Sequence, residues 1–189
     1  MDLISHCQAG DEEAFAALFH QYKNLVYKTA YLMLDSADEA EDVLQEVFLQ
    51  VHRSLSTFEP SKGAFTTWLY RVTVNHCLSQ QRKRRLLTVS LEKIPPSAVT
   101  EHQSFQDRLE DEEAVRQAVS RLSEKLRTVV ILRHYLELSY AEIAQILNIP
   151  VGTVKSRLDL AFKTLRKELG TLTGDAPALC TVPQREVAK

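Results

Sequence analysis

Side chains suited to DNA recognition lie together in the C-terminal third of the chain. Lys155 and Arg157 alternate with hydroxyl-bearing residues, and more basic residues follow within two turns of a helix. Lys and Arg neutralise phosphates, while Ser, Thr and Arg can reach base edges in the major groove. The pattern predicts duplex DNA binding, with an ordinary helical hairpin and a solvated basic face as the alternative. The residues concerned are Thr153, Lys155, Ser156, Arg157 and Lys163.

Two helices joined by a short turn must position these side chains. Ser139 and Glu142 form a capping box, which predicts the start of the first helix. After a turn at Asn148–Pro150, the second helix carries Val154 and Leu158 at the spacing of a buried face. The order helix, short turn, amphipathic helix predicts a helix-turn-helix.

A second group combines aromatic and basic residues in the first half of the chain. Phe65 and Trp68 alternate with polar residues, and the basic run Arg82–Arg85 follows. Aromatic rings can stack on bases while basic groups hold the backbone of a single strand. The alternative is that the rings belong to a core and that the basic run is a solvated helix end.

A third group is acidic. Carboxylates crowd one predicted helix, and Val43, Leu44, Val47 and Phe48 lie between them. An acidic face beside an apolar stripe could bind a basic helical partner. The alternative is that the carboxylates only complement the dipole of the helix N-terminus. The polar members of this group are Asp38, Glu39, Glu41, Asp42, Gln45 and Glu46.

The apolar spacing indicates an all-α protein of two small helical domains. Apolar residues recur at helical intervals over residues 11–85 and 110–169, and no segment has the alternation of a strand. Residues 86–109 contain a Pro pair and no sustained period, which predicts a flexible linker. The domains are therefore expected at 1–85 and 110–169, with a loose tail at 170–189.

Composition excludes several classes of function. The formal net charge is −2, so DNA binding must depend on local charge. The chain has only 5 Gly and lacks the G-x-G-x-x-G and G-K-[ST] patterns, which excludes the common nucleotide-binding loops. No apolar run approaches the ~18 residues of a membrane span, and the N-terminus does not resemble a signal peptide. We expect a cytoplasmic protein without membrane insertion.

The cysteines and histidines do not suggest catalysis. Cys7, Cys77 and Cys180 are widely spaced, which favours reduced thiols over a disulfide framework. His76 and Cys77 are adjacent, so on a helix they would point ~100° apart and could not act as base and nucleophile. No set of about four zinc ligands clusters. We expect no enzymatic activity, no metal and no cofactor; Cys77 is either a redox-sensing thiol or a small buried residue.

Together the three groups resemble one family. The segments Asp38–Leu55, Phe58–Asn75 and Leu122–Arg166 are similar to characteristic regions of bacterial RNA polymerase sigma factors, in the extracytoplasmic-function (ECF) group of the sigma-70 family. The resemblance covers residues 7–85 and 110–169 in the order of that family. The stretches that carry it are Glu39–Phe48, Thr67–Arg71 and Pro150–Arg157.

The resemblance implies a factor that binds core RNA polymerase, directs it to promoters and helps to melt the −10 element. Residues 1–85 would be sigma region 2, and residues 110–169 would be sigma region 4. The acidic helix would dock on the clamp coiled coil of core polymerase through Asp38, Glu41, Asp42, Gln45 and Glu46. An anti-sigma factor is an implied further partner, which could hold the protein at the membrane.

The resemblance also assigns the two DNA elements. The −35 element would be read as duplex by Thr153, Lys155, Ser156, Arg157 and Lys163. The −10 element would be captured as a single strand by Lys62, Gly63, Phe65, Thr67, Trp68, Arg71, Asn75, Arg82, Lys83, Arg84 and Arg85.

Three positions depart from the family pattern. Members commonly have Arg where this chain has Leu160 and Phe162, and often a basic or aromatic residue at Asp159. The loss of two phosphate contacts and the added negative charge predict weaker or altered −35 recognition. A conventional repressor or activator with the same helix-turn-helix is the alternative function, although it would not explain the acidic helix or the Trp68 segment.

Overall fold

The computed structural model describes residues 3–90 and 108–173, and the regular structure in these two ranges is helical. The N-terminal half contains α1 (Leu3–Gln8), α2 (Glu12–Leu34), α3 (Ala37–Ser54), two short 3-10 turns (Leu55–Thr57 and Pro60–Lys62) and α4 (Phe65–Ser90). The C-terminal half contains α5 (Arg108–Arg121), α6 (Glu124–Val130), a π-helical turn (Ile131–Tyr135), α7 (Tyr140–Leu147) and α8 (Val151–Thr173).

Short-range hydrogen bonds set the helix ends in the N-terminal half. The side chain of Asp11 accepts a bond of 3.0 Å from the amide of Ala14 and so caps α2. Asp35 ends α2 in the left-handed conformation, with φ of 55°. Ser36 then caps α3 by accepting a bond of 3.3 Å from the amide of Glu39. Asp35 and Ser36 therefore form a two-residue reversal between two capped helices.

Helices α2, α3 and α4 pack around one apolar core. Their inward positions include several side chains with 0% exposure, among them Leu18, Val47 and Leu69. These residues recur at three- and four-residue intervals, so each helix buries one face and exposes the other. The outer face of α3 carries the acidic group, and α4 carries the aromatic–basic group, of which Phe65 is buried.

The predicted helix-turn-helix is confirmed. The capping box forms in full: the amide of Ser139 donates to Glu142 Oε2 over 2.8 Å, and the amide of Glu142 donates to Ser139 Oγ over 3.3 Å. Asn148 ends α7 in the left-handed conformation, with φ of 52°. Ile143 of α7 and Val154 of α8 are fully buried between the two helices.

The structure corrects several predicted boundaries. Helix α4 continues to Ser90, five residues into the predicted linker, because residues 86–90 contain no helix breaker and the Pro pair comes later. Helix α8 likewise extends to Thr173. The rest of the predicted linker, 91–107, and of the predicted tail, 174–189, lies outside the described residues.

Two local features of the C-terminal half depart from regular helix geometry. Ser123 occupies the N-cap of α6, but its side chain makes no capping hydrogen bond. The helix that follows does not run on as regular α structure: it widens into the π-helical turn, where the amide of Leu136 donates to the carbonyl of Ile131 over 3.1 Å. Within the described residues, no helix combines the length and apolarity that crossing a bilayer requires.

Candidate nucleic-acid and partner interfaces

The first half of α8 presents the residues predicted to read duplex DNA. Leu158 and Ala161 face inward with Val154, and this buried stripe fixes the rotation of the helix. The opposite face is solvent-exposed at Lys155 and Ser156, and Lys163 continues it. Thr153 and Arg157 are half-buried at its edges. All five predicted residues therefore lie at the N-terminal end or along the outer side of one helix, as major-groove reading requires.

The three departures from the family pattern have different surroundings. Leu160 is 54% exposed, and Asp159 beside it is exposed on the same outer side of α8. Phe162 is half-buried, and its ring meets the His134 ring edge-on with centroids 5.0 Å apart. Burial, and then the charge of Arg133, lower the pKa of His134. Phe162 thus packs α8 against the π-helical turn, whereas Leu160 and Asp159 face the side that DNA would approach.

The aromatic residues at the start of α4 divide between core and surface. Phe65 is 6% exposed, and its ring lies 5.5 Å from Phe58, 5.1 Å from Tyr22 and 5.6 Å from Trp68. Trp68 is half-buried. For Phe65 the structure supports the alternative of a core aromatic. Its ring packs against the ring of Trp68. A direct contact between Phe65 and a base would require rearrangement of this aromatic cluster.

The loop before α4 is tied to the N-terminus. Lys62 pairs with Glu59 over 2.8 Å, and Gly63 has φ of 152°, a conformation that L side chains rarely adopt. Gln8 of α1 donates hydrogen bonds to the carbonyls of Leu55 (2.9 Å) and Phe58 (2.8 Å). Sequence reasoning missed α1 and Gln8. The N-cap Asp11 that follows the short Leu3–Gln8 segment was the one local signal.

Polar residues further along α4 share a face. Arg71, Asn75 and Arg82 are spaced by four and seven residues and are all exposed. Lys83 is exposed beside them, and Thr67 is half-buried one turn before Arg71. This face therefore runs from the aromatic cluster to the basic end of the helix.

Besides Lys62, two predicted −10 contacts on α4 have polar partners within the described residues. Arg84 pairs with Glu39 of α3 over 2.9 Å. The Nη2 atom of Arg71 donates to the carbonyl O of Gln145 in α7 over 2.6 Å. The side chain of Arg85 lies outside the part that the structure describes.

The acidic face of α3 points into solvent. Ala40, Val43 and Val47 are completely buried on the inner side. The predicted partner-binding residues are all exposed on the outer side: Asp38, Glu41, Asp42, Gln45 and Glu46. A helix dipole acts mainly within the first turn. It therefore accounts for Asp38 and not for the carboxylates at the second and third turns of α3.

Comparison with known proteins decides the family. The sigma-70 region 2 model matches residues 18–86, and the sigma-70 region 4 model matches residues 112–165. The ECF RNA polymerase sigma factor SigW of Bacillus subtilis is 34% identical, with 89% of this chain and 96% of SigW covered. The chain belongs to the ECF sigma factors of the sigma-70 family. As a sigma factor it directs RNA polymerase to promoters.

Other relatives agree with this assignment. The ECF sigma-E factor of Escherichia coli is 35% identical, with 82% of this sigma factor and 86% of sigma-E covered. The sigma factor RpoE in its complex with the anti-sigma factor NepR, from Bartonella quintana, is 25% identical with a TM-score of 0.67, covering 82% of this chain and 96% of that one. CnrH, solved with the cytosolic domain of CnrY, is similar in fold at a TM-score of 0.67 and 23% identity, covering 89% and 96%.

The thiols of this sigma factor are placed differently from one another. Cys77 has no exposed surface, and burial raises its pKa to about 12. Cys7 is half-buried, and burial raises its pKa as well.

His76 contacts Gln50 of α3 over 2.6 Å. Within the described ranges no three His, Cys, Asp or Glu side chains are grouped to hold a metal ion. Cys180 lies outside these ranges.

We expect Cys77 to resist thiol reagents in the folded protein. Because the thiolate is the reactive form and the pKa is about 12, almost no thiolate exists at pH 7–9. Iodoacetamide followed by peptide mass spectrometry should modify Cys7 well before Cys77, and denaturant should equalise the two. Modification of native Cys77 as fast as Cys7 at pH 8 would instead favour the redox-sensing interpretation.

Proposed function

We propose that three separate faces of this sigma factor divide the work of promoter recognition. The acidic face of α3 binds core polymerase, the start of α8 reads the −35 element, and the outer face of α4 captures the melted −10 strand. The observation that carries this proposal is that each face is polar and exposed and is backed by a fully buried apolar stripe on the same helix. The buried stripe on each helix therefore fixes the direction in which its polar face points.

The acidic face suits a basic partner helix. Its five residues extend over more than two turns of α3, so a long basic surface can contact all of them at once. Electrostatic attraction to the aligned carboxylates would orient the basic surface as it approaches. Salt weakens this attraction by screening the charges. A coiled coil on the polymerase clamp would fit this face if it carried basic residues on its outer side.

The −10 face suits a single strand. Extruding a base from duplex DNA costs a few kcal/mol, which contacts to the flipped base must offset. Residues 59–64, with the glycine conformation at Gly63 and the exposed Lys62, would form one wall of a pocket for that base, and the exposed Asn75 of α4 would contribute to it. Trp68 offers its accessible edge to a base, while Arg71 and Arg82–Arg85 hold phosphates. We assign Phe65 the supporting role that its burial indicates.

The −35 face suits the major groove. Lys155 and Arg157 would contact phosphates or guanine edges, and Thr153 and Ser156 would contact bases or the backbone. Lys163, two turns further on, would reach the phosphates that flank the site.

We place this activity in the cytoplasm, where the nucleoid and polymerase are found, and expect regulation by an anti-sigma factor. Such a factor would compete with polymerase for the N-terminal half. Immobilised core polymerase should therefore retain this protein when no anti-sigma factor is present. Adding the anti-sigma factor should release the protein from the polymerase. Capture of all three in one stable complex would contradict competition.

Transcription by core polymerase on fragmented genomic DNA tests the proposed function. With this protein added, RNA 5′ ends should map to new start sites that share two spaced upstream elements. Omission of the protein is the control. If no new starts arise while the protein alone binds duplex DNA tightly, the repressor or activator alternative is favoured.

Replacing Leu160 with Arg is expected to strengthen −35 binding. The added guanidinium would neutralise one more phosphate, raising affinity about tenfold at low salt and steepening the salt dependence by about one counterion. Titration of a labelled −35 duplex at several salt concentrations measures both. Leu49→Arg is the matched control, since Leu49 is 52% exposed on α3, away from α8. Equal gains in both variants would mean that Leu160 does not face DNA.

A further inference from the structure

The side-chain amide of Gln8 spans a 3-10 turn that is distant from it in the chain. Its Nε2 atom donates to the carbonyl of Leu55 over 2.9 Å and to the carbonyl of Phe58 over 2.8 Å. A carboxamide nitrogen carries two hydrogens, so these two bonds use both of them. Leu55 begins the turn and Phe58 follows it, and the amide of Phe58 donates to the Leu55 carbonyl over 3.0 Å. One side chain therefore fixes both ends of the turn.

Helix α1 holds Gln8 in place. Leu3, Ile4 and Cys7 of this helix are half-buried and pack against buried apolar residues. The helix then ends in a tight turn, in which the amide of Asp11 donates to the carbonyl of His6 over 3.2 Å. Because α1 is packed and its exit is hydrogen-bonded, the position of the Gln8 amide is set by the folded protein.

The loop that follows Phe58 has little packing of its own. All six residues of 59–64 are exposed. The ion pair between Lys62 and Glu59 within this loop is exposed as well, and exposed pairs contribute little to stability. The direction of the loop is therefore set at the two residues where it meets the core, Phe58 and Phe65.

Phe58 connects the Gln8 bonds to the aromatic cluster. Its carbonyl accepts one of these bonds. Its ring is 7% exposed and lies 5.5 Å from the ring of Phe65 and 5.7 Å from the ring of Trp68. A shift of the Phe58 backbone would therefore move one end of the loop and one of the rings that pack against Trp68.

We propose that Gln8 is a positioning residue for −10 recognition: its two hydrogen bonds hold the loop 59–64 and Trp68 in the arrangement that captures the melted strand. This role rests on the proposed function and adds to it a residue that lies outside the three binding faces. A loop that is ordered before binding loses less conformational freedom when DNA arrives. The bonds of Gln8 therefore raise affinity for the strand and sharpen the discrimination between bases.

Three substitutions separate the hydrogen bonds of Gln8 from its bulk. Gln8→Met keeps a side chain of similar length and removes both donors. Gln8→Glu keeps the shape but presents oxygens to two carbonyl oxygens, whereas Gln8→Lys keeps the donors. Gln21→Met is the matched control, because Gln21 is exposed on α2.

Base preferences in the two upstream elements provide the main readout. Each full-length variant is combined with core polymerase, and RNA 5′ ends are mapped on fragmented genomic DNA. In Gln8→Met and Gln8→Glu, base preference at the most selective −10 position should fall about tenfold, because the contacts to the flipped base are misplaced. Preference in the −35 element should not change. Gln8→Lys and Gln21→Met should both behave like the unsubstituted protein.

Trp68 fluorescence provides a second readout that needs no DNA. Trp68 is the only tryptophan of the chain, so the emission of the free protein reports on this aromatic cluster alone. Quenching by acrylamide should increase in Gln8→Met and Gln8→Glu, because a loosened loop admits the quencher to the ring. Thermal unfolding followed by circular dichroism checks that each variant is folded.

Several results would overturn the positioning role of Gln8. One is an unchanged −10 preference in folded Gln8→Met. Another is an equal loss of preference in both elements, which general destabilisation would produce. A Gln8→Lys variant as impaired as Gln8→Met would show that the donors are not what positions the loop. If the unsubstituted protein itself directs no new starts, then the proposed function fails, and the role of Gln8 fails with it.

Discussion

Reversing two charges on α3, in the variant Glu41→Lys/Asp42→Lys, is expected to weaken binding to core polymerase by about 100-fold or more. Both side chains are exposed on the outer face, so the change leaves the apolar stripe of α3 intact. Like charges placed against each other across an interface cost several kcal/mol, and a loss of 100-fold corresponds to ~2.7 kcal/mol. Anisotropy of the labelled protein titrated with core polymerase measures the affinity.

The matched control is Glu12→Lys/Glu13→Lys. It also moves the formal net charge from −2 to +2, but on the exposed first turn of α2. Lys side chains at the N-terminus of α2 interact unfavourably with the helix dipole, so the control should be the less stable of the two variants. If both variants lose polymerase binding equally, net charge and not the acidic face decides the affinity. Repeating the titration at higher salt should reduce the difference in polymerase affinity between the two variants, because salt screens the charges.

Replacing Leu69 with Ala is expected to destabilise the N-terminal half by about 2–5 kcal/mol. Leu69 has no exposed surface and lies next to Trp68 in α4, so its loss leaves a cavity directly behind the −10 face. Urea unfolding followed by helical circular dichroism measures the cost. Binding of a −10 single strand at temperatures below unfolding should also weaken, because α4 loses its fixed rotation.

Leu49→Ala is the control for Leu69. The same atoms are removed from a side chain that is 52% exposed, so the free energy of unfolding should change by no more than about 0.5 kcal/mol. A cost below about 1 kcal/mol for Leu69→Ala would show that α4 is not held by the core as described. If the Leu69→Ala variant is strongly destabilised but binds the −10 strand normally, then strand binding does not depend on the packing of α4 against the core.

Local signals in the sequence predicted much of this fold. The capping box at Ser139 and the buried stripe of α8 depend on residues within one or two turns, and both predictions are confirmed. The family assignment is confirmed as well. The roles of individual polymerase- and DNA-binding residues stay predictions, which the experiments above address.

What the sequence did not predict depends on residues that are distant in the chain. Gln8 bonds to carbonyls beyond α3, and nothing near Gln8 marks those partners. Burial of Phe65 depends on Tyr22 and Phe58, so spacing within α4 could not distinguish it from the more accessible Trp68. The contact between Arg71 and α7 joins two domains whose patterns are each complete without it.

Under the proposed function, the continuity of α4 would set how much promoter strand the protein can hold. From Trp68 to Arg82 the helix rises by about 21 Å, at 1.5 Å per residue. That length matches about six stacked nucleotides at 3.4 Å each. The length of strand between a base stacked on Trp68 and the basic end of α4 would therefore be fixed by the number of residues in this one continuous helix. Inserting a single residue near Ser79 would lengthen the footprint by only 1.5 Å but would turn the basic end by about 100°, away from the strand.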